Sequence, residues 1–334
     1  MRGHVRAFRQ GRHVAPFQSG VVPPHSMYLI AIIRLPDPLN WRQKYRHMGY
    51  LLLVSVLWGF SFGLYREHLT GLDPNLVAFL RLLLALPVLL PFLRPSRIGG
   101  RHRWHLLLIG AAQFGLMYSA LNFSYQFLYA WQVALFTVLT PIYVAILNDL
   151  REGRVQPFNS VMAMLAILGA MVITLRGESW GNFWLGFLIL QVSNLCFAYG
   201  QVTYRTLRHG PLRHVKDHEV FAWLYLGGVA ISLVTATLSG GWNQLPGITG
   251  KEWLVILYLG LIASGCCFFW WNKGATLTRV ATLAVFNNLK IPVAILIAVW
   301  VFGERTDWSR LILGASIMIL AAWLSERQHR RRTA

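Results

Sequence analysis

Charged residues are scarce in this sequence, and acidic residues are the scarcest. Only 13% of its 334 residues are charged, and 12 Asp and Glu stand against 31 Lys and Arg. A soluble chain would carry about 25% charged residues, so the composition argues against a soluble protein. The three cysteines, Cys196, Cys266 and Cys267, are odd in number and lie within apolar runs. This pattern excludes a disulfide framework and a zinc site of spaced cysteines.

Long apolar runs are abundant instead, since 55% of the chain is hydrophobic. A membrane-spanning helix needs about 20 mostly apolar residues, and the linkers between the runs are too short for a separate soluble domain. The sequence therefore predicts an all-α polytopic membrane protein with ten transmembrane helices. The predicted spans are 48–65, 74–93, 104–121, 127–147, 158–175, 183–203, 219–238, 253–272, 281–302 and 311–326.

The positive charge is distributed unevenly around these spans. Most Lys and Arg fall in residues 1–47, in every second linker and in residues 327–334. Short basic linkers face the cytoplasm, so we expect both termini to be cytoplasmic tails of a protein in the cytoplasmic (inner) membrane. The charge then serves topology and contact with the lipid bilayer, and we expect no binding to nucleic acid. Residues 1–47 are interrupted by prolines, which break helices; alternatively, translation starts at Met48.

Ten spans divide into two sets of five, and an odd number per set gives the two halves opposite orientations. The halves are 48–175 and 183–326. Pro141 in the fourth span and Pro292 in the ninth span are predicted helix-breaking residues at corresponding positions. Matching interrupted helices in two halves indicate a binding site at the interface of inverted repeats.

Several short motifs resemble the EamA domain of the drug/metabolite transporter superfamily. They are Leu57-Trp58-Gly59-Phe60-Ser61-Phe62, then Asp73-Pro74 before Phe79-Leu80-Arg81, the fifth helix around Gly169, and Gly303-Glu304. The resemblance covers about residues 48–326 and implies two inverted five-helix repeats that move small organic molecules such as amino acids. The fourth span departs from the pattern, because it ends at Glu152 without the Gly-Glu pair.

Two cations lie inside predicted spans, and no Asp or Glu lies at a comparable depth. Arg81 is about 10 Å into its span and Lys290 about 13 Å into its own, at roughly 1.5 Å per residue. Intramembrane charges mark substrate pathways by default, so we predict that both hold an anionic group. Alternatively, Arg81 reaches outward or bonds free carbonyl groups. Asn287 shares a helical face with Lys290 and is predicted to orient the anion.

Four further residues are predicted to contact the substrate. Trp58 is favoured because it lies in the motif of the first helix, where it would cover an apolar part of the substrate. Tyr118, Asn194 and Trp271 are polar or aromatic groups at depth. For each of them, packing between helices is an equally good interpretation.

Two patterns point weakly to enzymes. The run from Gly59 to Gly63 matches Gly-x-Ser-x-Gly, but a nucleophile needs a strand-turn-helix context, and within a span small residues four apart indicate helix packing. His214 and His218 are four residues apart in a basic linker without further metal ligands. We therefore expect no enzyme, no metal and no cofactor, and the sequence has no ATP-binding P-loop.

The predicted function is a secondary transporter of small metabolites, either amino acids or organic anions, that works by alternating access. Proton relays in carriers usually use a buried carboxylate or His, and no carboxylate lies at depth, so exchange, or facilitated flow driven by the substrate's own gradient, fits at least as well. We expect an exporter or exchanger. The alternative is a membrane scaffold or receptor that transports nothing. The sequence leaves the oligomeric state open.

Overall fold

The structure is a computed structural model that describes residues 38–151, 153, 157–174, 180–277 and 280–333. Helices fill almost all of these residues, and the described part contains no β-strand. In chain order they are α1 (Pro38–His68), α2 (Pro74–Leu89), α3 (Gly100–Ser124), α4 (Ala130–Arg151), α5 (Pro157–Thr174), α6 (Trp180–His209), α7 (Asp217–Leu238), α8 (Gly250–Leu257, Tyr258–Cys266 and Cys267–Leu277), α9 (Val280–Trp300) and α10 (Trp308–Thr333).

The prediction of an all-α membrane protein is confirmed, whereas the count of ten spans stays a prediction. Among the described residues, seven helices are long and apolar enough to cross a membrane, namely those at α1–α4 and α6–α8. Phe286–Trp300 in α9 and Trp308–Leu324 in α10 are shorter apolar helices. Large apolar side chains such as Leu108, Met164 and Leu188 are more than half exposed, as expected where helices face lipid.

Local sequence signals set where several helices begin and end. α1 begins at Pro38, ten residues before the predicted span at residue 48. Proline fits the first turn of a helix, because a backbone N–H at this position would have no partner within the helix. Asp73 caps α2 by accepting hydrogen bonds from the backbone N–H groups of Asn75 and Leu76. The predicted tail up to residue 37, and Glu152, lie outside the described residues.

Helices at equivalent positions of the two halves pack on each other. α2 packs on α7, α4 on α9 and α5 on α10. Glycines permit close approach elsewhere: a Cβ on Gly110 of α3 would overlap the Leu224 carbonyl of α7, and one on Gly59 of α1 would lie 2.7 Å from Val293 of α9. The Gly59 pattern is therefore a packing face, as small residues in membrane helices generally are.

The two predicted helix-breaking prolines differ in their effect. Before Pro141, α4 tightens into a 3₁₀ turn at Thr137–Leu139, as expected where a residue lacks the N–H for a helical bond. At Pro292 the prediction of a break is wrong, because α9 continues through it. Membrane helices tolerate an internal proline when neighbouring groups satisfy the freed carbonyl.

α3 and α8 share an unusual feature at equivalent places. Each contains a π-helical segment, Ala111–Leu116 in α3 and Tyr258–Cys266 in α8. In both cases a Gly-x-x-x-x-Gly sequence accompanies it, at Gly110 to Gly115 and at Gly260 to Gly265. Short π-helical turns occur frequently at functional sites.

Candidate functional site

A cavity with about 640 Å³ of empty space lies among side chains of α1, α2, α3, α4, α6, α8 and α9. Its walls therefore come from both predicted halves of the chain.

The structure brings most of the predicted substrate-binding residues to this cavity. Five of them line it: Lys290, Arg81, Trp58, Tyr118 and Asn194. The other two lie directly behind the wall. The Trp271 ring centre is 5.1 Å from that of Trp58, and Asn287 accepts a hydrogen bond from Lys290.

Lys290 lies near the middle of α9 and is only 7% exposed. Its ammonium donates to Asn287 Oδ1 at 3.1 Å and lies 5.5 Å from the centre of the Trp58 ring. An aromatic face at this distance attracts a cation, but neither contact neutralises the charge. No carboxylate forms an ion pair with Lys290 among the described residues. The ammonium can therefore receive an anionic ligand.

Arg81 reaches the cavity from α2 and is 4% exposed. Its Nε donates to Ser264 Oγ at 3.0 Å, and its Cζ lies 3.7 Å from the centre of the Tyr118 ring. The Tyr118 hydroxyl and Ser264 Oγ are 2.8 Å apart, so the three side chains fix one another. Within the described chain, the terminal guanidinium nitrogens make no hydrogen bond. A guanidinium in this state suits a carboxylate, which it can bind through two parallel hydrogen bonds.

The π-helical segment of α8 carries the groups that hold this arrangement. Its Ala263 carbonyl accepts from Trp58 Nε1 at 2.9 Å, and its Ser264 carbonyl accepts from the Tyr225 hydroxyl. In a π-helix the bonding pattern is shifted by one residue, and side chains of α1 and α7 bond to the carbonyls here. Trp58, Ser264 and Arg81 are thereby positioned through one short stretch of backbone.

Aromatic rings form the apolar wall beside the cations. The Trp58 ring centre lies 4.9 Å from that of Phe268 and 6.4 Å from that of Phe197. Both phenylalanines line the cavity. This wall can cover an uncharged ring or chain of a ligand while the cations hold its charge.

Asn194 contacts backbone as well as the cavity. Its Nδ2 donates to the Phe136 carbonyl at 3.1 Å, and its Oδ1 accepts from Thr140 Oγ1 at 3.4 Å. Phe136 lies just before the 3₁₀ turn of α4, where helical bonding is interrupted. Asn194 thus stabilises the interrupted helix, which is the packing alternative considered for it.

Several lining residues escaped prediction from the sequence, above all Tyr65 and Asn122. Tyr65 ends a predicted span, where tyrosine normally indicates a membrane interface. Asn122 lies four residues after Tyr118, which places both on one face of α3. That spacing is the signal that could have identified it.

The Gly303-Glu304 pair joins the two halves away from the cavity. Gly303 has a φ of 69°, in the left-handed region that favours glycine. The chain turns there, and the Glu304 carboxylate accepts hydrogen bonds from the backbone N–H groups of Ala130 and Trp131 at 2.9 and 3.2 Å. Burial raises the pKa of the Glu304 carboxyl, although these two bonds oppose the shift. Glu304 therefore caps the start of α4.

Comparisons with known proteins agree with this architecture. A family model described as the EamA-like transporter family matches residues 47–175 and again residues 184–326. A crystal structure of a protein that is 16% identical superimposes with a TM-score of 0.58, covering 86% of this chain and 98% of the other. At that identity the likeness shows a shared fold.

Sequence relatives are more specific. A probable biotin transporter of Pseudomonas aeruginosa is 38% identical over 280 residues, which are 83% of this chain and 97% of that protein. A biotin transporter of Escherichia coli (strain K12) is 34% identical over 279 residues, 83% of this chain and 92% of that protein. This chain is a membrane transporter of small metabolites and belongs to the EamA-like transporter family.

Proposed function

We propose that this protein carries biotin across the cytoplasmic membrane and binds it in the cavity between its two halves. The observation that carries the proposal is a cavity lined by two buried cations and by no carboxylate among the described residues, in a chain 38% identical to a probable biotin transporter. Biotin is a carboxylate at neutral pH, with an uncharged bicyclic ring at the other end of a short alkyl chain.

The charge of the cavity favours an organic anion over an amino acid. Arg81 and Lys290 are the charged residues among its described lining. An amino acid would bring an ammonium group next to these cations, and like charges repel. A simple carboxylate brings only the complementary charge. Lys290 and Arg81 would hold it, and Asn287, which already bonds Lys290, would orient it.

The remaining features of the ligand suit the other walls. Trp58, Phe197 and Phe268 offer ring faces and edges against which a fused ring can pack. Tyr118 fixes Arg81 through its ring, and Trp271 supports Trp58 from behind. Asn194 anchors α4 at the cavity wall.

The transport mechanism in this proposal is alternating access by two inverted five-helix repeats, 48–175 and 183–326, with ten spans. Both termini, including the basic tails 1–47 and 327–334, face the cytoplasm. Carriers with inverted repeats move one half against the other around a central site. The equivalent helix pairs α2 with α7 and α4 with α9 support this assignment. Among the described residues that line the cavity, none is a carboxylate that could couple transport to protons, which favours export or exchange.

The test is flux of radiolabelled biotin in proteoliposomes that contain the purified protein. Uptake and efflux are measured separately, with empty liposomes as the control and unlabelled biotin inside or outside to detect exchange. A panel of amino acids and biotin methyl ester are added as competitors. We expect saturable biotin flux that the amino acids and the neutral ester inhibit weakly.

The outcomes separate the alternatives. Flux stimulated by biotin on the opposite side indicates exchange, and efflux without it indicates export. Strong inhibition by amino acids would contradict the choice of an organic anion. Binding of biotin without flux in either direction would favour the receptor, and neither binding nor flux would refute biotin as the ligand.

A further inference from the structure

One end of the cavity differs chemically from the rest. Tyr65, at the end of α1, and Asn122, near the end of α3, both line this end together with Tyr125. The Tyr65 and Tyr125 rings stack with centres 4.6 Å apart. We call this group the Tyr65 end; its three side chains carry no charge, and the neighbouring Arg66 guanidinium is bonded to the Tyr125 carbonyl.

Tyr65 and Asn122 are almost completely buried, with 2% and 1% of their surfaces exposed. The Asn122 amide donates to the Pro74 carbonyl at 3.1 Å, which fixes its orientation. Its Oδ1 has no hydrogen-bond partner in the part of the chain that the structure describes, and neither has the Tyr65 hydroxyl. Buried polar atoms without partners cost about 1–3 kcal/mol each, so a ligand that supplies the partners gains affinity.

Along α1 and α3, the Tyr65 end is offset from the residues that contact the cations. Tyr65 follows Trp58 by seven residues in α1, or about 10 Å at 1.5 Å per residue. Asn122 follows Tyr118 by four residues in α3, or about 6 Å. Trp58 contacts Lys290, and Tyr118 contacts Arg81. A ligand held at both levels must therefore carry its acid and its neutral polar group at opposite ends.

We propose that the Tyr65 end is a hydrogen-bonding subsite for an uncharged cyclic urea or amide, in which Asn122 and Tyr65 determine specificity. Asn122 Oδ1 accepts an N–H of the ligand, and the Tyr65 hydroxyl donates to its carbonyl oxygen. This inference rests on the proposed function and extends it, because biotin carries a cyclic urea at the end opposite its carboxylate. The class of ligand is a carboxylic acid with a neutral urea or amide head.

The test compares ligands that share one end each. Equilibrium binding of labelled biotin to the purified full chain is competed with three probes. Desthiobiotin and biotin methyl ester keep the urea, whereas lipoate keeps the five-carbon acid chain and a sulfur ring but has no urea. The variants are Tyr65→Phe, which keeps the ring stack, and Asn122→Ala. Tyr199→Phe is the matched control, since Tyr199 is exposed on α6 and away from the cavity.

We expect both variants to bind biotin, desthiobiotin and the ester roughly 3- to 10-fold more weakly, as the loss of one neutral hydrogen bond predicts. The affinity for lipoate should stay within about twofold of wild type, and Tyr199→Phe should change nothing. Equal weakening of all ligands would mean that the residues act only on structure and would overturn the subsite.

Other results are equally decisive. Unchanged biotin affinity in Tyr65→Phe, the variant least able to disturb folding, overturns the subsite even when wild type binds biotin well. In that case the proposed function survives. Failure of wild-type protein to bind biotin overturns the proposed function, and with it the urea subsite.

Discussion

Replacing Lys290 with methionine should separate binding from folding. The methionine has a similar length and fits an apolar helix, but it removes the ammonium that is 7% exposed in the cavity wall. A hydrogen bond to a charged group contributes about 1.5–3 kcal/mol. We therefore expect Lys290→Met to bind biotin roughly 10- to 150-fold more weakly.

The same change should leave stability almost unaltered, because opposing contributions nearly cancel. Removing a lysine from the middle of a membrane helix gains about 2.5–3.5 kcal/mol on insertion scales. Against this, Asn287 loses its bond, which costs about 1–3 kcal/mol. Loss of the contact between the ammonium and the Trp58 ring costs about 1 kcal/mol more. The net change lies within about 2 kcal/mol of zero.

The assay measures affinity by isothermal titration calorimetry and melting temperature in detergent on the same preparations. Lys273→Met is the matched control, because Lys273 lies on α8 beside the Phe269 ring and does not line the cavity. Biotin methyl ester should bind Lys290→Met and wild type alike, since it has no carboxylate. A large fall in melting temperature together with equal weakening of acid and ester would refute the reasoning. So would unchanged affinity for biotin.

Two further changes test the helix contacts. Glu304→Gln should remove a pH dependence: because burial raises the pKa of the Glu304 carboxyl, its stabilisation is complete below the ordinary carboxyl pKa and is lost as pH rises through the raised one. The melting temperature of wild type minus that of the variant should therefore fall as the pH rises above about 4, and a flat or rising difference would contradict this. Gly110→Ala should lower the melting temperature and the free energy of unfolding, the latter by about 1–3 kcal/mol, because the added Cβ would overlap the Leu224 carbonyl. Gly71→Ala is the control, since Gly71 has open space around it. Equal effects of the two variants would count against close packing of α3 on α7.

The sequence predicts a helix well where that helix satisfies its backbone hydrogen bonds within its own segment. An apolar run such as 219–238 needs only its own length and composition to cross a bilayer, and the structure has α7 at Asp217–Leu238. The burial of Arg81 and Lys290 in one cavity could be anticipated because charges are costly in apolar spans. Lys290 bonds Asn287, which lies one turn away on the same helix. Arg81 bonds Ser264, which is distant in sequence.

Contacts between distant residues explain what the sequence could not predict. Tyr65 meets the cavity only through the packing of α1 against distant parts of the chain, and nothing local to this residue indicates it. Asn194 has an anchoring role that depends on the interrupted bonding of α4. The continuation of α9 through Pro292 depends in the same way on its neighbours.

The π-helical segment Tyr258–Cys266 holds one residue more than α-helical turns of the same length would. Each residue of an α-helix rotates the face by about 100°, so an extra residue without a wider turn would rotate Phe268 and Trp271 away from Trp58. The π-helical turn absorbs the extra residue and keeps both rings beside Trp58. Deleting one residue from the segment would therefore leave the aromatic wall in place, but it would return the Ala263 and Ser264 carbonyls to α-helical bonding, where they would no longer be free to accept from Trp58 and Tyr225.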